Sequence, residues 1–235
     1  MTTRRLDANL GAFAILLVLA GVAWWLLVSQ SAGMAMAMEV SVPAYMATWL
    51  TMVAAMMLPA TAPLALAYGQ VARARGGGRL AAMPFTAGYL ALWAFGGVVP
   101  LAVFVVSRGA VAGMASSPLG PLALGAALVV GGLYQLSPWK GACLRACRSP
   151  LGFVISHDFE SGAKGGLRAG AVHGAFCLGC CWALMAVLAV VGLMSLASMA
   201  VLSVLILAEK NWRHGAGLAR VAGVAMVAFG ILVTL

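Results

Sequence analysis

Three of the five cysteines in the chain fall inside one short stretch, His173-Gly174-Ala175-Phe176-Cys177-Leu178-Gly179-Cys180-Cys181-Trp182. The run around them is apolar, so it reads as a helix. His173, Cys177 and Cys181 are spaced by four and form one stripe on that helix, Cys180 flanks it, and Met185 continues it. Thiolate, imidazole and thioether together make a soft donor set. Such donors suit Cu(I) first, with Zn(II) or iron as alternatives. A buried thiol is ordinarily protonated, and a bound metal ion displaces that proton. Phe176 and Trp182 are placed to close the stripe to water.

A second pair, Cys143 and Cys147, has the same i, i+4 spacing, with Arg145 and Arg148 interleaved. Neighbouring cations lower thiol pKa values. With the first cluster this pair would bring up to five sulfurs to one side of the protein. Methionines supply a third set. Met34, Met36 and Met38 alternate in a segment read as a loop, where they could capture Cu(I). Met52 and Met56 lie one turn apart on the next apolar helix and could relay the ion inward. Glu209 and Lys210 end an apolar run and read as an ion pair at the membrane interface.

Each group also has a plainer reading. Buried cysteine packs as a small hydrophobe, and methionine fills gaps in apolar cores. Cys177 and Cys180 form a C-x-x-C, so a membrane thiol-disulfide carrier is an alternative function. A structural or assembly subunit of a membrane complex is another. The sequence contains no nucleophile–base arrangement and no phosphate-binding glycine loop, which argues against an enzyme or an ATP-driven pump.

The scaffold is legible from composition. Hydrophobic residues make up 64% of the chain and charged residues 8%, with mean hydropathy +1.05. Soluble domains are about one quarter charged. The expected fold is therefore all-α, a single polytopic membrane bundle over residues 1–235 with about seven transmembrane helices. They are placed at approximately 10–28, 44–68, 83–107, 119–139, 169–192, 195–208 and 217–235. A polar loop is expected at 140–168, and the first helix reads as uncleaved. A net charge of +9 is compatible with nucleic acid, but the basic residues are dispersed between apolar runs, so lipid and metal are the expected partners. With the N-terminus inside and the C-terminus outside, thirteen of the fourteen Lys and Arg residues are cytosolic and only Arg108 is external. That orientation places the helix-five cysteines in the cytosolic half of the bilayer, roughly 12–18 Å from the helix end. Gly166, Gly170 and Gly174 repeat every four residues and predict a close approach by another helix.

Several motifs follow one another in order: Ala55-Met56-Met57-Leu58-Pro59 with Ala62-Pro63-Leu64, then Tyr134-Gln135-Leu136-Ser137-Pro138-Trp139-Lys140 with Cys143 and Cys147-Arg148-Ser149-Pro150. The Cys177-Leu178-Gly179-Cys180-Cys181-Trp182 core with Leu184-Met185, and then Glu209-Lys210, complete the series. This pattern, from about Trp49 to Gly217, resembles an uncharacterised bacterial family of predicted metal-binding integral membrane proteins. The resemblance implies metal binding in a bacterial inner membrane. A metallochaperone or a partner subunit would be the protein that exchanges the metal.

Overall fold

A computed structural model describes residues 2–34, 41–76, 80, 82–102, 120–157, 159, 162–192 and 196–235. Among them the chain is all-helical, with nine helices and no strand. They are α1 (Thr2–Met34), α2 (Val42–Ala74), α3 (Ala82–Gly96), α4 (Gly120–Leu136), α5 (Pro138–Arg148), α6 (Pro150–Ser156), α7 (Ala163–Gly192), α8 (Leu196–Asn211) and α9 (Gly215–Thr234). Among the described residues, five helical segments are long and apolar enough to cross a membrane, or six if the bent pair α4 and α5 is one span. The sequence count of about seven is compatible, because α8 is a further apolar helix. Its 16 residues give about 24 Å of helix, short of a full hydrocarbon core.

The stretch 140–168, expected as a polar loop, is instead largely helical. It holds most of α5, all of α6 and the start of α7. Hydropathy finds apolar runs, and α5 is amphipathic: Leu144 and Cys147 are buried while Arg145 is exposed. Pro138 and Pro150 each open a helix, where the missing N–H costs nothing. Likewise 29–34, expected as the start of the outer loop, continues α1. Met34 is its last residue. Met36, Met38 and Arg108 lie outside the described residues. Pro59 and Pro63 fall inside α2, which continues through both.

The chain divides into two compact units. The first comprises Met1–Phe95 and Arg145–Cys177, the second Gly96–Leu144 and Leu178–Leu235. In the first unit, α1 buries Leu16, Ala20, Ala23 and Leu27, a stripe with helical spacing. The predicted glycine ridge is also there. A Cβ on Gly170 would overlap the Phe85 carbonyl, and one on Gly88 would overlap the Leu167 carbonyl. Helices α3 and α7 therefore touch backbone to backbone. In the second unit α4 and α9 do the same in antiparallel register. A Cβ on Gly132 would stand 2.6 Å from the Gly223 carbonyl oxygen, and one on Gly230 would stand 2.8 Å from that of Gly125. Such contacts gain dispersion energy that larger residues would forbid.

Gly170→Ala should lower stability by about 1–3 kcal/mol, the typical result of overpacking a tight interface. Gly217→Ala, which has nothing within 4 Å, should be neutral or slightly stabilising. Thermal unfolding of the two variants in detergent, followed by circular dichroism, checks the contrast.

Candidate metal centre

In the first unit the close approach of α3 brings Phe85 and Tyr89 onto the His173 stripe of α7. His173 is buried, with its ring stacked on Phe85 at 5.9 Å and on Tyr89 at 5.8 Å between centroids. Phe153 of α6 meets it edge-on at 5.4 Å. One turn further, Cys177 is fully buried and its Sγ lies 3.0 Å from the Tyr89 hydroxyl. Thr61 of α2 donates to the same Tyr89 oxygen at 3.3 Å. Either the Tyr89 hydroxyl or the Cys177 thiol can be the donor in this contact. Cys147 is buried on the last turn of α5 in this unit, and Met52 and Met56 are buried on α2. Trp49, one turn before Met52, donates its indole N–H to the Trp93 carbonyl at 2.9 Å.

The second unit holds Cys143, Cys180, Cys181 and Met185. Cys180, Cys181 and Met185 are buried, and Cys143 is half-buried. The Cys143 sulfur rests directly on α7, because a Cβ on Gly179 would lie only 2.8 Å from it. Glycine is thus what lets this thiol reach the helix at the position before Cys180. Tyr134 of α4 donates its hydroxyl to the Gly179 carbonyl at 2.5 Å and shares its electrostatic surroundings with the Cys143, Cys180 and Cys181 thiols. Trp182 does not close the stripe to water. It faces outward and meets Tyr134 edge-on at 4.8 Å.

Beside these thiols lies a charged group that the sequence reading did not assemble. Lys140, in the first turn of α5, is buried and bonds Glu209 of α8, with Nζ 2.6 Å from Oε2. Gln135 of α4 donates to the other carboxylate oxygen. Glu209 had been expected to pair with its neighbour Lys210. Lys210 acts on the carboxylate electrostatically, and the ammonium of Lys140 joins it from another helix. The one available signal was a polar Gln135 in an otherwise apolar run, since such residues inside membrane helices mark partners across helices. Glu209 also acts electrostatically on Cys180, and Lys140 on Cys143.

None of the five cysteines is in a disulfide. Among the described residues no three His, Cys, Asp or Glu side chains stand ready-assembled around a metal position. His173, Cys177, Cys147, Met52 and Met56 belong to the first unit, and Cys143, Cys180, Cys181 and Met185 to the second.

Residues 46–233 match a family described as PpoB2, copper chaperone. The chain belongs to that family. No curated protein and no solved structure matches it. The copper chaperone match begins inside α2 and ends inside α9. It takes in all five cysteines, His173, Met52, Met56, Met185 and the Lys140–Glu209 pair, and it leaves out Met34, Met36 and Met38. The resemblance seen in the sequence motifs therefore holds at the level of a metal-related family, and copper is the metal that family handles.

Glu209→Leu should strand Lys140 as a buried unpaired cation and cost about 3–5 kcal/mol. Lys140→Met combined with Glu209→Leu should recover most of that loss, because no charge is left without a partner. Melting temperatures of the single and double variants in the same detergent test this.

Proposed function

We propose that this member of the copper chaperone family is an integral membrane protein of the bacterial inner membrane that binds Cu(I) as cargo and hands it on by ligand exchange, without enzymatic chemistry. The observation that carries the reading is the seating of the Cys143 sulfur on Gly179, next to Cys180, in an apolar interior. Cu(I) is satisfied by two or three soft ligands, so a pair of thiols and a flanking Cys181 suffice where Zn(II) would ask for four donors in a tetrahedron. The His173–Cys177 pair of the first unit offers a second soft donor set of nitrogen and sulfur.

The membrane reading is supported by the five or six helices of spanning length and by the distribution of charge. An N-in, C-out orientation keeps the basic segments on the cytosolic side. Cys143, Cys180 and Cys181 then belong to the cytosolic half, where a soluble thiol-bearing metallochaperone or a membrane partner subunit could exchange copper with them. Met52 and Met56, one turn apart and buried, suit a thioether relay from the outer half. The outer methionines Met34, Met36 and Met38 would be the capture point in the same scheme.

Anaerobic titration of the purified protein with Cu(I), in competition with a chromogenic Cu(I) chelator, provides the test. Stoichiometric tight uptake is expected. Cys143→Ser and Cys180→Ser should each weaken it by about a hundredfold, equivalent to about 2.7 kcal/mol. Gly179→Ala, which displaces the Cys143 sulfur, should weaken it by about tenfold. A preparation that takes up no copper, or whose affinity ignores a combined Cys143→Ser and Cys180→Ser change, removes the reading.

A further inference from the structure

The Lys140–Glu209–Gln135 group is not needed to make ligands, and it is an expensive feature to build. Two charges removed from water must regain their solvation from each other and from nearby dipoles, and apolar residues of similar size are often as stable or more so. Its position suggests what it is for. Lys140 lies three residues before Cys143 on α5, so both project from one face of that helix. Its ammonium is held there by Glu209 Oε2 at 2.6 Å, while Gln135 of α4 draws on the other carboxylate oxygen. The polar groups facing this region of the second unit include Tyr134, Gln135, Lys140, Cys143, Cys180, Cys181 and Glu209, with Lys210 acting on Glu209 from the next position. Lys140 is the cation whose field reaches Cys143.

The geometry points to Lys140 as the built-in counter-charge of the copper–thiolate group, a positioning residue that makes Cys143 and Cys180 competent to hold Cu(I). This rests on the copper-binding reading above. When two thiols take Cu(I), each Sγ–H bond breaks, its proton leaves to water, and two sulfur–copper bonds form without any change of oxidation state. The product bears one net negative charge in an apolar interior. Lys140 offsets that charge at a fixed place. Glu209 keeps the ammonium oriented while the thiols are unloaded, and partly cancels its field.

Opposite signs follow for the two partners of one ion pair. Lys140→Met should weaken Cu(I) binding by about a hundredfold, the scale of one close charge in a partly buried setting. Glu209→Gln, which keeps the shape but removes the cancelling charge, should bind Cu(I) about tenfold more tightly even though its melting temperature falls. Lys140→Arg should stay within about threefold of the wild type. All are measured by anaerobic chelator competition on the full chain in detergent, beside thermal unfolding. If Lys140→Met and Glu209→Gln both lose affinity in step with stability, the pair is a structural brace and the proposal is overturned. Should Lys140→Met not fold, the Lys140→Met, Glu209→Leu double variant carries the comparison. It is expected to bind at least about tenfold more weakly than the wild type, and equal affinity overturns the proposal. Wild-type protein that binds no copper, or binds it independently of Cys143 and Cys180, defeats the underlying function instead, so the two failures are distinct.

Discussion

The second unit is organised around one buried ion pair. Lys140 and Glu209 come from helices separated by almost seventy positions in the chain, yet both are essentially without solvent. In such surroundings neither charge is tolerable alone, so wherever one side chain goes the other must follow. The pairing also answers a local problem. Lys140 sits in the first turn of α5, where the helix dipole disfavours a cation, and the Glu209 carboxylate is the anion that a helix N-terminus prefers. Gln135 adds a third helix to the same knot. Once α4, α5 and α8 are tied there, the register of α5 is set. Cys143, one turn beyond Lys140, then has a determined place against α7.

Glycine does the complementary work of bringing backbones together. Gly88 and Gly170 let α3 and α7 touch, which delivers Tyr89 to Cys177 and stacks its ring on His173. The Gly125, Gly132, Gly223 and Gly230 contacts join α4 to α9 in the same manner. Gly179 applies the device to a side chain, clearing a seat for the Cys143 sulfur. Between two helices as apolar as these, small residues allow the close packing and hydrogen bonding that hold them together. The thiols are therefore placed by the same glycines that hold the helices.

Copper chemistry enters through donor softness. The chain brings sulfur to its interior without forming a disulfide, and keeps a phenol or a charged group near the thiols in each unit. A family match to a copper chaperone, covering the cysteines but not the methionines at 34, 36 and 38, puts the weight on α5 and α7. The outer methionines belong to a part of the chain that the match does not include.

Much of this was readable from residue order alone. The apolar runs located the long helices, since burying or bilayer-covering so much hydrocarbon leaves few other solutions. The His173, Cys177, Cys181 stripe and the Gly166, Gly170, Gly174 ridge were visible because helical period is a local property, and all six residues are buried. Helices α5 and α6 escaped notice because hydropathy averages over a face, and a short amphipathic helix has no long apolar run. The ion pair escaped it for a deeper reason. Glu209 had a cation beside it in sequence, and only the packing of α4, α5 and α8 shows that its partner is Lys140. Sequence by itself determined which residues are apolar, which repeat with helical period, and which carry soft donors. Tertiary structure alone decided which donors meet. Period and composition are set within a few turns of one helix, whereas the partner of a buried charge or thiol depends on distant helices arriving in a particular register.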